Sequence, residues 1–195
     1  MNIKDVKNAF KIADVKLIQI DEKLKFEYLD NIIDDNGNEL PKSFLKENVA
    51  RVYFLVVDGE IYKIGGSQDK GGIKGTLNIY QDGGVKGRPS IRSYGIWYLL
   101  NDTIKKGHKI EIYMMYMPNY STQVKGLFGY NNIENASLSF KLLEESCLND
   151  YKRIEGTYPK WNFQEKSEPW DAGIQINHAK LLEKSAKNSS INKNK

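Results

Sequence analysis

Apolar positions along this chain concentrate in a few runs with different spacings. RVYFLVV (Arg51 to Val57) is continuously apolar, aromatic and β-branched once past its Arg, which is strand composition. Asp58-Gly59 follows, a dipeptide suited to a two-residue turn with positive φ, and Glu60 to Ile64 resumes the strand, so the pattern predicts a hairpin. KIEIYMMYM (Lys109 to Met117) predicts a third strand, closed by Pro118. Between them the period becomes helical. Ile96, Leu99, Leu100 and Ile104 share one side of a helix expected from Ile91 to about Lys106, with Ser90 as its cap and Gly107 as its stop. A second helix is expected over Ser137 to Ile154, ended by Glu155-Gly156.

Elsewhere the pattern is weaker. Met1 to Asn48 reads as a polar, partly helical arm ending in the turn-like DDNGNELP. It is expected to be a solvated arm packed on the core, with a recognition or dimerisation element as the alternative. GGSQDKGGIKGTLNIYQDGGVKGRPS is rich in Gly and Lys and is expected to lack regular structure, apart from a short TLNIY segment. The closing SAKNSSINKNK is poor in apolar residues and is expected to be disordered. The chain thus divides into an arm (1–48), a core (49–165) and a C-terminal extension (166–195). No internal repeat is visible.

Composition narrows the possibilities. A chain of 195 residues suits one domain with elaborations, and 28% charged with 40% hydrophobic residues is ordinary globular composition. The net charge of +4 leans mildly toward nucleic acid, so DNA affinity would need a local basic face. One cysteine, Cys147, excludes an internal disulfide and a cysteine-based zinc site. His108 and His178 have no His or Cys neighbours in sequence, so neither is expected to ligate a metal. GGSQDKGGIKG lacks the Gly-Lys-Ser/Thr ending of a phosphate-binding P-loop. Trp97, Trp161 and Trp170 are expected to fill or cover the core. No apolar run reaches membrane-spanning length and the N-terminus lacks a signal-peptide core, so a cytoplasmic protein is expected.

Val52-Tyr53 in the first strand and Lys63-Ile64-Gly65 in the second resemble the motif pair of the GIY-YIG nucleases, with Lys in place of the second motif's Tyr. An Arg-bearing helix and a Glu-bearing helix, LLEESCLNDY with Glu144, follow in the family's order. GTYPKWN (Gly156 to Asn162) is similar to the Pro-x-x-Asn close seen after that helix in restriction-enzyme members. The resemblance covers roughly Arg51 to Asn162. It implies an α/β (α+β) fold: a small antiparallel three-stranded sheet flanked by helices.

It also implies a chemistry. Phosphodiester hydrolysis needs fixed positive charge near the phosphate, a route for the water's proton and usually a divalent ion. By resemblance, Glu144 would be the metal ligand for one Mg²⁺ per site. Tyr53 would orient or deprotonate the attacking water, its phenol made acidic by nearby cations. Lys63 would lower that pKa or touch the phosphate, and Arg92 or Arg88 would supply the guanidinium, with Arg92 preferred because it falls in the helix's first turn. An ideal two-residue hairpin pairs Leu55 with Tyr62 and turns Lys63 away from Tyr53, unless Gly65-Gly66 carries a bulge. Lys63 is preferred and Tyr62 stays open. The four groups Tyr53, Lys63, Arg92 and Glu144 are expected on one face of the sheet. Lys70, Lys74, Lys86 and Asn162 are the expected DNA contacts. The function implied is a type II restriction endonuclease acting as a homodimer on double-stranded DNA. The alternatives are a phage or mobile-element nicking nuclease and a catalytically inactive DNA-binding relative.

Overall fold

A computed structural model describes residues 1–18, 23–68, 70–84 and 88–193, with side chains to residue 186. In chain order the elements are β1 (Phe10–Ile18), β2 (Lys23–Tyr28), β3 (Ile32–Ile33), β4 (Glu39–Leu40), β5 (Ala50–Val57), β6 (Glu60–Ser67), α1 (Gly72–Gln81), α2 (Ile91–Lys105), β7 (Ile110–Met117), β8 (Tyr120–Gly126), β9 (Gly129–Ala136), α3 (Phe140–Glu155) and α4 (Ala172–Lys193). The class is α/β, but the sheet is not three-stranded. Five strands form one antiparallel sheet in the order β2-β1-β7-β5-β6, while β3 pairs with β4 and β8 with β9. The expected three strands are the β7-β5-β6 side.

The N-terminal arm supplies the two additional strands. FKIADVKLI and KLKFEY bury Phe10, Ile12, Val15, Leu24 and Phe26, with lysines and acids turned toward water between them. Interleaved charge suggests a solvated helix surface, yet the period of two is that of a half-buried strand. The segment read as turn-like is a turn: the Asp34 carboxylate accepts from the backbone N–H groups of Asn36 (2.9 Å) and Asn38 (2.8 Å), linking β3 to β4.

β5 lies between β7 and β6 and is buried along its whole length. Tyr53, Leu55 and Val57 face one layer, where Ile73, Leu77 and Tyr80 of α1 and Ile96 and Leu100 of α2 pack. Val52, Phe54 and Val56 face the other, covered by Leu143, Leu148 and Tyr151 of α3 and by Ile3. A strand covered on both sides must read as continuous apolar sequence, which is why β5 stood out. Its turn to β6 has positive φ at Asp58 (49°) and Gly59 (88°), as the dipeptide predicts. The Asp58 carboxylate also accepts from the Lys109 backbone N–H at 2.9 Å and meets His108 Nδ1 at 2.6 Å, pinning the turn to the entry of β7.

Two further expectations change. The stretch after β6 is not structureless, because Ile73, Leu77 and Tyr80 give α1 a buried stripe at helical spacing. The C-terminal extension is helical to Lys193, with Ile174 buried at its start and His178 bonded to the Pro89 carbonyl at 2.8 Å. Composition alone misses this helix because its first turns are ordered by packing on α2. No helix among the described residues is long and apolar enough to cross a membrane.

Candidate functional site at the β6 edge

The site begins with a register shift. Leu55 pairs with Lys63 and Val56 with Ile61, so Tyr62 is the extra residue of a β-bulge. The bulge lies at Tyr62, not at Gly65-Gly66, and it turns Lys63 to the same face as Tyr53 and Leu55. Tyr62 packs edge-on against Trp161, and Lys160 lies over its ring and donates to its hydroxyl at 3.0 Å. Beyond Lys63 and Ile64 the strand carries two glycines before its last residue, Ser67, and each glycine is crowded by a neighbour. A Cβ on Gly65 would fall 2.4 Å from the Tyr53 hydroxyl, and one on Gly66 would fall 2.9 Å from Glu144 Oε2.

Those two contacts come from opposite layers. Tyr53 belongs to the face covered by α1 and α2, whereas Glu144 is carried by α3 on the other face. The expectation that all four groups share one face is therefore not met: Glu144 lies on the opposite layer from Tyr53. The two approach each other only around the edge, where β6 is the last strand of the sheet and its two glycines carry no side chains. Arg92, in the first turn of α2, comes from the Tyr53 side. It lines the same open cleft of ≈ 490 Å³ as Gly66, Glu144, Tyr158 and Glu165. Ser90 caps that helix by accepting from the Ser93 backbone N–H.

Electrostatics tie the group together. Burial sets the Tyr53 phenol well above 10, and Tyr80, whose hydroxyl lies 2.8 Å away, pushes the same way while Arg92 opposes. The expectation that cations make Tyr53 acidic is overturned, because both phenols are buried and share one hydrogen bond. Burial, followed by the Arg92 charge, pulls Lys63 down from 10.5 to about 8. Burial works against the charge on Arg92, but Tyr53, Tyr80, Glu144 and Glu165 outweigh it and raise its pKa. Among the described residues no three acidic, His or Cys side chains come together as a metal cage. Glu144, half-exposed in the cleft with Glu165 nearby, could still hold a cation that keeps most of its ligands as water, as Mg²⁺ does.

A loop finishes the edge. The Asn162 side chain accepts from the Ile64 N–H and donates to the Ile64 carbonyl, both at 2.9 Å, and the Trp161 N–H donates to the Tyr62 carbonyl at 2.8 Å. Asn162 is wholly buried with both amide ends used on Ile64, so it latches the strand and is not placed to touch DNA. By alternation, Gly66 turns its backbone N–H and C=O the same way as Ile64, past the end of the latch and toward the cleft.

The remaining candidates lie apart. Arg88 is exposed upstream of α2 and does not line the cleft. Lys74 sits over the Tyr28 ring at 4.7 Å on α1, and Lys70 is exposed in the turn before that helix. Lys86 lies outside the described residues. Two groups of the cluster carry no motif and went unread: Tyr80, hidden in the glycine-rich segment, and Glu165, in the loop after Asn162. For Tyr80 a signal existed in its i, i+3 and i+7 spacing from Leu77 and Ile73.

Solved structures with a similar arrangement include restriction endonuclease HPY188I in complex with product DNA, at TM-score 0.46 and 20% identity over 82% of this chain and 84% of that one. A mutant of bacteriophage T4 EndoII matches at TM-score 0.44 and 15% identity over 83% of this chain and 98% of that one. No family model and no curated protein sequence matches the chain. The functional case therefore rests on the side chains at the β6 edge.

Proposed function

We propose that this protein is a metal-dependent endonuclease that hydrolyses phosphodiester bonds of double-stranded DNA, built like the GIY-YIG nucleases and acting as a type II restriction enzyme. The observation that carries the reading is the pair Gly65-Gly66, over which the Tyr53 phenol and the Glu144 carboxylate close from opposite layers, with Arg92 electrostatically coupled to both. Negative charge gathers on the phosphate and leaving oxygens in the transition state, so a permanent guanidinium fixed at a helix start is suited to bind there. Glu144, with Glu165 beside it, would hold Mg²⁺, which when bound neutralises charge on the phosphate.

The pKa directions divide the labour of the remaining groups. Tyr53 is a neutral phenol held by Tyr80, so it orients the attacking water by hydrogen bonding instead of stripping its proton. We assign proton acceptance to Lys63, whose pKa of about 8 leaves a neutral fraction around neutral pH, with its side chain buried behind the cleft that Arg92 and Glu144 line. One site per chain then calls for a homodimer, whose two-fold symmetry matches a palindromic target. Lys70 and Lys74 would contribute phosphate contacts around that target.

Purified protein is incubated with mixed plasmid DNA and Mg²⁺, and the product ends are sequenced. Double-strand breaks at a short palindrome, from a protein that sediments as a dimer, are expected. Single-strand nicks from a stable monomer would replace the restriction reading with a mobile-element nuclease. Absence of cleavage in every divalent ion, with duplex binding retained, would replace it with an inactive DNA-binding relative.

A further inference from the structure

The hairpin of β8 and β9 is not used by the chemistry at the β6 edge. Among the described residues its strands pair only with each other, and they are exposed along nearly their whole length. Gly126 stands opposite Gly129, which leaves Leu127 and Phe128 as the two apex residues, 95% and 102% exposed. A two-residue hairpin loop favours Asn-Gly, Asp-Gly or Gly-Gly. Here local turn preference is overruled to hold two large apolar side chains in water between glycines, and departures of this kind are expected where a protein works.

The flanks carry a different chemistry. Gln123 and Asn132 pair across one face, bonded at 2.9 Å, with Lys125 and Tyr130 beside them. Asn131 lies on the other face with Thr122, Val124 and Ile133. The hairpin is rooted at the rim of the cleft. Ser137, just past β9, accepts from the Gln68 amide at 2.8 Å, and the first turns of α3 then supply Phe140, Lys141 and Glu144 to the cleft. An irregularity between Tyr120 and Thr122, with Asn135 at φ 62°, bends the hairpin near this root.

We infer that the β8–β9 hairpin is a wedge that enters a groove of the duplex held at the cleft, with Leu127 and Phe128 inserting at a base step and the amide-bearing flanks following the groove. The inference rests on the nuclease reading of the cleft. A two-stranded ribbon fits a DNA groove, amide side chains suit base edges, and Leu and Phe are wedge residues that part stacked bases. A second copy of this chain is a poorer occupant. A stable interface needs about 800 Å² from each partner, and the two apex side chains offer roughly half of that. The exposed Tyr120, Val124, Tyr130 and Ile133 that would supply the rest are divided between the two faces and interleaved with amides that suit base edges.

The test replaces the apex with the turn that local chemistry prefers, Leu127→Asn with Phe128→Gly, which keeps the hairpin and removes the wedge. Wild type and variant are titrated with short duplexes of randomised sequence carrying 2-aminopurine, with Ca²⁺ in place of Mg²⁺, and their thermal midpoints are compared. The expected result is a rise in 2-aminopurine emission with wild type that the variant does not produce. Duplex affinity should fall roughly ten-fold or more at an unchanged thermal midpoint. Equal emission and affinity would overturn the wedge while plasmid cleavage by both proteins left the nuclease reading standing. Wild type that neither binds nor cuts duplex DNA would remove both. A variant that loses only self-association in the absence of DNA would reassign the apex to a protein contact and overturn the proposal.

Discussion

At one edge of the sheet β2 alternates Lys23, Lys25 and Glu27 outward with Leu24 and Phe26 inward. At the other edge β6 buries Lys63, carries Gly65-Gly66 near its end and has its outer hydrogen bonds at Tyr62 and Ile64 taken by Trp161 and Asn162. Both face the same hazard, since an unpaired strand invites another to add to it. β2 meets it with solvated charge, which asks little of the rest of the protein. β6 meets it with a latch that stops at Ile64 and leaves the glycine end open. The open end is where Tyr53, Arg92 and Glu144 gather, so this edge trades the ordinary defence for access. A lysine in water costs nothing, whereas one at 2% exposure beside Arg92 is destabilising in its charged form.

The largest effect should come from the carboxylate at the open edge. Glu144→Gln should lower plasmid cleavage on the order of 10³-fold or more, the several kcal/mol a bound metal supplies. Duplex binding should persist or tighten, because one charge repelling phosphate is gone. Full cleavage by this variant in Mg²⁺ would remove Glu144 as the metal ligand. Glu145→Gln is the control, since that side chain is exposed and turned about 100° away around α3.

How much of this contrast could be read from the sequence depends on how local each signal is. The β5–β6 hairpin, α2, β7 and α3 were legible because each carries its own start and stop: Asp58-Gly59, Ser90, Gly107, Pro118 and Gly156. The β2 edge was not, since lysines between Leu24 and Phe26 imitate a solvated surface. The β8–β9 hairpin was invisible for a related reason, having little apolar patterning except at its apex. At the site, the one-face expectation failed for Glu144, which reaches the β6 edge from the opposite layer to Tyr53, and the means of approach were hidden. A bulge at Tyr62 is a tertiary outcome, set by the packing of Tyr62 on Trp161 and invisible to an ideal register. Asn162 was singled out correctly and given the wrong partner, because a buried amide bonded to one backbone residue looks like any Asn in a loop.

The latch gives the next effect. Asn162→Ala should destabilise the protein by about 2 to 4 kcal/mol in urea unfolding, because the N–H and C=O of Ile64 lose their partners in a buried setting. Cleavage per folded molecule should fall as well, as the β6 end loosens under Tyr53. A variant as stable as wild type would show that the edge does not depend on the latch.

Lys63→Met probes the buried charge, and its two readouts should move in opposite directions. The folded pKa of Lys63, about 8, lies below its reference value of 10.5. Below pH 8 the protein carries the full cost of burying the charge. As pH rises from 8 toward 10.5 the folded state has shed the proton while the unfolded chain keeps it, so stability rises. Removing the amine should therefore raise stability at neutral pH by up to about 3 kcal/mol and flatten the rise between pH 8 and 10.5, while abolishing cleavage. Unchanged stability at neutral pH, or a persistent rise in that window, would place the lysine in a more solvated setting than its geometry indicates.

The smallest effect belongs to the opposite edge. Lys25 Nζ lies 3.0 Å from Glu27 Oε1, with the side chains 56% and 45% exposed. Their attraction acts through water and is screened by salt, and holding two long side chains together costs entropy. Lys25→Gln and Glu27→Gln should each shift stability by less than about 0.5 kcal/mol, and the double variant should show little coupling between them. Plasmid cleavage should stay at the wild-type level, since β2 lies four strands from β6. What the charges do here should show in solution behaviour instead: with both replaced, only Lys23 remains of the edge's three outward charges, and light scattering should detect more association at high protein concentration. A large loss of stability from either single change would mean that β2 is finished by specific contacts after all, and the contrast between the two edges would fail at its simpler end.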